Sequence, residues 1–201
     1  MTKQLLLFSA LFGMLFGLRA QVSPNTKGIF INASLSGATV YYDEDNADDN
    51  AGAGGLDIRV GYGFTPTFTL YATLGGYQVS GEPESVFTED YDLGLFELVG
   101  RFHFGKKIKS PIFYLDGGFQ FVSAQVFEDP NITLNGSGLV LGPGLLLYLN
   151  RKFALDINLR IGAGRINEIE VGRASADLSE ENFNYGINRF NVGVVWYPSN
   201  R

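Results

Sequence analysis

Charged residues interrupt several apolar segments of this 201-residue chain at alternating positions. A period of two is typical of a β-strand, in which successive side chains point to opposite faces. Asp57 and Arg59 thus share one face of a segment, and Asp156 and Arg160 share one face of another. The same pattern selects seven residues: Asp57, Arg59, Glu97, Arg101, Asp116, Asp156 and Arg160. If these faces are enclosed, the charges must form ion pairs, because an unpaired buried charge carries a large desolvation cost.

A second candidate site is an acidic, glycine-rich segment at residues 43–55. Its acids are Asp43, Glu44, Asp45, Asp48 and Asp49. Carboxylate oxygens bind divalent cations, but the segment lacks the spacing of a calcium-binding loop, since Asp48 replaces the glycine required at the sixth position from Asp43. We interpret it as a solvated loop with at most weak cation binding, and we predict no dedicated metal site and no cofactor.

Catalysis would need a nucleophile held next to a base. His103 is the only histidine, and it lies between Phe102 and Phe104. No serine shares its segment, so a pair would require Ser110 or Ser123 to approach it from elsewhere. The sequence favours a non-enzymatic protein, and a lipid-modifying enzyme stays as an alternative.

The segment at residues 153–162 shows most clearly what positions the charged residues. Its large apolar residues are Phe153, Leu155, Ile157, Leu159 and Ile161, and they alternate with Ala154, Asp156, Asn158, Arg160 and Gly162. Such strict alternation predicts a strand whose two faces meet different environments.

Seven further segments repeat this pattern. The predicted strands cover residues 28–41, 56–64, 68–79, 91–104, 112–126, 139–149, 153–162 and 183–197. Short turns alternate with longer loops at about 43–55, 80–90, 128–138 and 165–182, so turns and loops lie at opposite ends of an antiparallel meander. Gly142-Pro143-Gly144 predicts a bulge or a kink, and residues 169–172 indicate a short hairpin extension of the last loop.

The N-terminus predicts export. Lys3, an apolar run at residues 5–18 and a small residue at Ala20 form the pattern of a secretory signal peptide over residues 1–20. Removing Lys3 and Arg19 from the 15 basic residues leaves 13 against 21 acidic ones, a net charge of −8. With no cysteine, neither a disulfide framework nor a lipidated cysteine is possible. We therefore expect an acidic exported protein with a single β-domain at residues 21–201 and no nucleic-acid partner.

Eight amphipathic strands fit two barrels: a soluble lipocalin-like ligand carrier with an apolar interior, and an outer-membrane barrel with a polar interior. The lysines outside the signal peptide are Lys27, Lys106, Lys107, Lys109 and Lys152, all at the turn end and none in a strand. Aromatic residues form two groups, one at the turn end (Tyr62, Phe64, Phe68, Phe102, Phe104, Phe113, Phe153 and Trp196) and one at the loop end (Tyr41, Tyr77, Tyr91, Phe121 and Phe183). Two such girdles and a glycine-rich polar face favour the membrane barrel.

In these features the chain resembles the small eight-stranded outer-membrane β-barrels of Gram-negative bacteria, similar to OmpX and to the transmembrane domain of OmpA. The resemblance covers residues 21–201 and rests on the strand pattern, the girdles, the loop alternation and the signal peptide. It implies an all-β, up-and-down transmembrane barrel in the cell outer membrane, inserted as a monomer by the barrel-assembly machinery and surrounded by outer-membrane lipid. Both termini and the basic turns are then expected in the periplasm, with the acidic loops outside.

The charged residues then have two interpretations. They form either a proton or ion path or a structural plug, and we prefer the plug because side chains fill a barrel of eight strands. Arg101 and Asp116 lie at similar heights on one predicted hairpin, so we predict an ion pair between them. The expected role is structural, in envelope integrity, or depends on an unidentified extracellular partner of the acidic loops.

Overall fold

A computed structural model describes residues 25–44, 47–80, 90–104, 111–126, 132–172, 174–178 and 183–198. It contains nine strands: β1 (Gly28–Glu44), β2 (Ala47–Gly63), β3 (Phe68–Val79), β4 (Tyr91–His103), β5 (Ile112–Val126), β6 (Ile132–Tyr148), β7 (Phe153–Val171), β8 (Ala174–Asp177) and β9 (Asn184–Trp196). The predicted signal peptide at residues 1–20 lies outside the described residues. Within those residues, no helix is long and apolar enough to cross a membrane.

Eight of the strands close into an antiparallel barrel. β1 to β7 pair in chain order, and β9 pairs with both β7 and β1, which closes the sheet. β8 pairs with the end of β7 as a short hairpin extension outside the ring. The predicted all-β, eight-stranded up-and-down barrel is therefore confirmed.

The strand registers set the tilt of the barrel. A row of paired residues that starts at Phe153 passes through Trp196 and Ile31, continues around the sheet and returns to β7 at Ala163. The offset of ten residues between Phe153 and Ala163, set against eight strand spacings, tilts the strands by about 40°. Side chains fill the interior of a barrel of this size.

Apolar side chains cover the outside of the barrel and polar ones fill the middle of its inside. On β7, Leu159 is 54% exposed and Ile161 is 63% exposed, whereas Asp156 and Arg160 are each 1% exposed. The alternation at residues 153–162 thus has the orientation predicted for a barrel with a polar interior. On the outside, Leu35, Leu74, Phe119 and Leu139 are also more than 60% exposed.

Several loop boundaries differ from the prediction. Residues 47–55 belong to β2 rather than to a loop, since Asp43 pairs with Asp48 and Glu44 pairs with Ala47. β6 begins at Ile132, and β7 continues to Val171, where it forms the predicted hairpin with β8. These segments look like loops because they are polar, but pairing between backbone groups does not depend on the polarity of the side chains.

Of the bulge or kink predicted near residues 142–144, the bulge is wrong. The β6–β7 register is the same on both sides of Pro143, with Leu141 opposite Ile161 and Gly144 opposite Asn158. The register shift lies instead at Asn135 and Gly136, where β7 carries one extra residue. Pro143 thus lacks a ladder partner on β7 without changing the register.

The predicted aromatic girdle at the turn end lies on the outside of the barrel, whereas the predicted girdle at the loop end does so only in part. The turn-end residues lie on the outside and are exposed, including Phe102 at 58% and Phe113 at 60%, except that Phe68 is half-buried. At the loop end Tyr41 and Phe121 are also exposed, but Tyr77 and Tyr91 are buried inside, and the half-buried Phe183 stacks on Tyr42 with ring centroids 5.9 Å apart. The loop-end prediction is wrong for these three residues because it used their height along the strand, whereas their position in the alternation puts Tyr77 and Tyr91 inside.

Candidate functional site: a ring of charges inside the barrel

Eight charged side chains meet halfway along the barrel interior. The alternation of four strands, β2, β4, β5 and β7, turns all seven predicted residues inward, and each is at most 2% exposed. β9 adds Arg189, also 2% exposed, which the sequence prediction missed. Arg189 alternates with the outward-facing Phe190 within the predicted strand at residues 183–197, so counting positions along that strand would have found it. Among the described residues, the interior therefore holds four acids and four arginines rather than four acids and three arginines.

The eight charges form a closed ring in which acids and arginines alternate. Each arginine contacts two acids within 4 Å, and each acid contacts two arginines. The order is Asp57, Arg59, Asp156, Arg101, Asp116, Arg160, Glu97, Arg189 and back to Asp57. We call this set the charge ring. Its net charge is zero, which is the condition under which buried ions are tolerated.

The Arg101–Asp116 contact within the ring has the best geometry. Arg101 Nε donates to Asp116 Oδ1 at 2.8 Å, and a terminal guanidinium nitrogen donates to Oδ2 at 3.0 Å. The two residues are direct cross-strand partners on β4 and β5, at the shared height that predicts an ion pair. A bidentate contact of this kind holds both groups in one plane.

Glu97 joins two arginines across the interior. Arg160 donates to one carboxylate oxygen of Glu97 and Arg189 donates to the other. Arg189 also lies 3.7 Å from Asp57, which receives a 3.0 Å contact from Arg59. These contacts connect β2, β4, β7 and β9, strands that are not all neighbours in the sheet.

Tyrosines supply further hydrogen bonds to the three aspartates of the ring. Tyr71 donates its hydroxyl to Asp116 at 2.6 Å, and Tyr77 donates to Asp57 at 2.5 Å. Tyr114 donates to Asp156, and the Arg101 guanidinium lies 3.6 Å from the centre of the Tyr114 ring. The strand alternation predicts that these tyrosines face inward, but it does not predict that they donate hydrogen bonds to the carboxylates.

Apolar clusters close the interior on both sides of the charge ring. The turn-end cluster contains Phe30, Val99, Ile112, Leu146, Tyr148, Val195 and Tyr197, all at most 3% exposed. The loop-end cluster contains Val40, Tyr42, Val79, Tyr91, Leu93, Leu95, Tyr185 and Ile187, all at most 6% exposed. The charges are therefore enclosed between two apolar layers, an arrangement suited to holding strands together rather than to passing solutes.

Comparison with solved structures identifies the architecture. The fold is that of the small eight-stranded outer-membrane β-barrels. The chain is similar to Neisserial surface protein A, with a TM-score of 0.64 and 14% identity over 85% of this chain and 97% of the other. It is also similar to the outer-membrane protein OprG from Pseudomonas aeruginosa, with a TM-score of 0.56 and 14% identity over 88% of this chain and 98% of the other. No protein-family model and no curated protein matches the sequence.

The structure separates His103 from Ser123, one of its two candidate serine partners. His103 ends β4, faces the interior and lies beside Tyr114, with ring centroids 6.1 Å apart. Its cross-strand partner is Tyr114, and Ser123 lies nine residues farther along β5, about 30 Å away. Ser123 therefore cannot pair with His103, and Ser110 lies outside the described residues.

The acidic candidate site falls at the tip of the β1–β2 hairpin. Asp43, Glu44, Asp48 and Asp49 belong to the two strands, and Asp45 lies outside the described residues. In the described part of the chain, no three His, Cys, Asp or Glu side chains come together as metal ligands would. Weak cation binding by this hairpin stays a prediction.

Proposed function

We propose that this chain is an integral outer-membrane protein that contributes to envelope integrity or binds a partner through its acidic loops, and that it is neither a wide pore nor an enzyme. The observation that carries the proposal is the inverted distribution of polarity, with charges inside the barrel and large apolar residues outside. Both solved relatives named above support this location, one described as a surface protein and the other as an outer-membrane protein.

The apolar exterior is the main support for a lipid environment. Among the described residues, 29 large hydrophobic ones are exposed, and those on the strands form a band around the barrel. Soluble monomers rarely expose apolar patches beyond a few hundred Å², because water would drive such surfaces to associate. Lipid removes that penalty, and a closed barrel leaves no unpaired sheet edge within the bilayer.

The orientation follows from the two ends. The first and last described residues lie at the turn end, where Thr26 Oγ1 donates to the Pro66 carbonyl at 2.8 Å. Lys27, Arg151 and Lys152 lie at the same end, whereas the acidic hairpin tip of β1 and β2 lies at the other. By analogy with the resembled family, we assign the turn end to the periplasm and the loop end to the exterior.

The loop end provides the surface for a partner. β7 and β8 form a hairpin beyond the point where β9 leaves β7, and all four residues of β8 are exposed. On the β6–β7 part of this extension, Asn135 Nδ2 donates to Glu170 at 3.1 Å and reaches Glu168 at 3.5 Å. An acidic, projecting surface of this kind suits a basic or cation-bridged partner.

Fractionation combined with gel mobility tests the proposal. We expect the protein in the outer-membrane fraction, migrating faster in detergent gels before boiling than after it, because the closed barrel resists detergent until heated. Recovery in the soluble periplasmic fraction would contradict the proposal and favour the ligand carrier. Loss of a lipid modification in a strain carrying His103→Ala would favour the enzyme.

A further inference from the structure

Basic and aromatic residues form a patch at the turn end, on the outside of β7, β9 and β1. Its members are Lys27, Arg151, Lys152, Phe153 and Trp196, all exposed. The aromatic pair is fixed by the sheet, since Phe153 on β7 lies directly opposite Trp196 on β9. We call these five residues the basic–aromatic patch.

The tilt of the barrel brings the two lysines to the same height. Trp196 also pairs with Ile31 of β1, so Lys27 lies four residues below the row that contains Phe153. Around the eight strands, that row moves toward the loop end by the equivalent of ten residues. Between β7 and β1, which are two strands apart, it therefore moves toward the loop end by about two to three residues. The residue of β1 at the same height along the barrel axis as Phe153 is thus near Gly28. Lys27 directly precedes Gly28 and Lys152 directly precedes Phe153, so the two lysines lie at similar heights.

Lys152 is held at this level by the backbone. The Tyr197 amide donates to the Lys152 carbonyl at 2.8 Å, and Asn150 Oδ1 accepts from the Lys152 amide at 2.8 Å. The lysines therefore flank Trp196, separated by two strand spacings of about 4.8 Å each. Trp196 carries an apolar ring with one polar N–H, which suits the level of lipid headgroups.

We propose that the basic–aromatic patch binds anionic phospholipid headgroups of the leaflet that faces the turn end. The inference rests on the proposed membrane location. The two lysines make the patch complementary in charge to such lipids, because the described turn-end segments contain no acidic residue. Lys and Arg can extend along the apolar surface and keep their charged groups at the headgroup level, while Trp196 and Phe153 contact the adjoining acyl chains.

Trp196 provides the readout, because it is the only tryptophan of the chain. The protein is refolded into phosphatidylcholine vesicles that contain an equal small fraction of brominated phosphatidylglycerol or of brominated phosphatidylcholine. Bromine quenches tryptophan only on close approach. We expect the anionic lipid to quench Trp196 as if enriched about two- to fivefold, and we expect the enrichment to disappear at 1 M salt.

The test variant is Lys27→Gln/Lys152→Gln, and the matched control is Arg165→Gln, which removes an exposed base on β7 far from the turn end. Heat-dependent gel mobility confirms that each variant folds. The double variant is expected to lose the enrichment, and the control is expected to keep it. If the double variant does not fold, the salt dependence of the unchanged protein decides.

Two results would overturn the inference in distinguishable ways. Equal quenching by the two brominated lipids, or enrichment that survives both 1 M salt and the double substitution, would exclude selective binding of anionic lipid while leaving the membrane barrel intact. Absence of quenching by either lipid would mean that Trp196 does not face a bilayer. That outcome would contradict the proposed function itself.

Discussion

Arg160 on β7 and Arg189 on β9 are direct cross-strand partners, and both donate to Glu97 on the opposite side of the barrel interior. Like charges placed opposite each other destabilise a sheet. Glu97 offsets this repulsion by accepting from one arginine on each carboxylate oxygen, and it thereby connects the two halves of the charge ring. The ring is thus a single interaction unit rather than a set of separate pairs.

Glu97→Gln is expected to destabilise the barrel by about 3–5 kcal/mol, because the substitution leaves the charges of two buried arginines partly uncompensated. Urea unfolding of the protein in lipid vesicles, followed by Trp196 fluorescence, measures the change. Glu170→Gln removes an exposed carboxylate and is the matched control, with an expected effect below about 1 kcal/mol. Equal unfolding midpoints for the two variants would contradict a stabilising role of Glu97.

A double-mutant cycle tests whether Glu97 and Arg189 act together. Replacing both residues by Gln removes one acid and one base, so the ring loses three of its eight ion pairs but keeps its neutrality. We expect the double variant to be at least about 1.5 kcal/mol more stable than the sum of the two single effects predicts. Additive effects would mean that the two groups contribute independently.

Much of the fold was predictable from residue alternation, and the partners within the ring were not. The pattern at residues 153–162 fixes which face of β7 turns inward, and the shared hairpin of Arg101 and Asp116 predicts their ion pair. Glu97 and Arg160 are 63 residues apart in sequence, however, and they meet only because the barrel closes with an offset of ten residues. The alternation of one strand carries no information about that offset.

Composition misled the prediction where side chains do not decide the backbone. Acids and glycines at residues 43–55 indicate a loop, yet β2 includes most of this segment because its ladder with β1 continues beyond the apolar band. Tyr77 has the residue type and height of a girdle tyrosine, but it faces inward and donates to Asp57. For Tyr77, the position in the strand alternation predicts the orientation of the side chain better than the residue type does.

Two glycines provide a matched pair for testing how tightly the strands pack. A methyl group at Gly118 would lie 2.1 Å from the Leu98 carbonyl oxygen, whereas one at Gly76 on the outside would meet nothing within 4 Å. Gly118→Ala is expected to cost about 1–3 kcal/mol, because the contact is with backbone that cannot move aside freely. Gly76→Ala is expected to be neutral or slightly stabilising. The urea midpoints of both variants check this, and a stable Gly118→Ala barrel would show that β4 and β5 can separate at this point.

The packed interior predicts the absence of a wide pore. Two apolar clusters of described residues enclose the charge ring, so we expect no open path for ions or sugars along the barrel axis. Planar-bilayer recordings of the refolded protein are expected to show no steps of the size that water-filled porins produce. Stable conductance of that size, or rapid uptake of sugars in a vesicle-swelling assay, would contradict a closed interior.

The most direct test of the inverted barrel is spin-label accessibility on the strand at residues 153–162. The chain has no cysteine, so Leu159→Cys and Asn158→Cys each provide a single labelling position, one outside and one inside. In lipid vesicles, a label at residue 159 is expected to be highly accessible to oxygen and poorly accessible to a water-soluble nickel complex. A label at residue 158, if the barrel accommodates it, is expected to be shielded from both. Ready access of the nickel complex to residue 159 in the folded protein would place the apolar face of β7 in water and contradict the account.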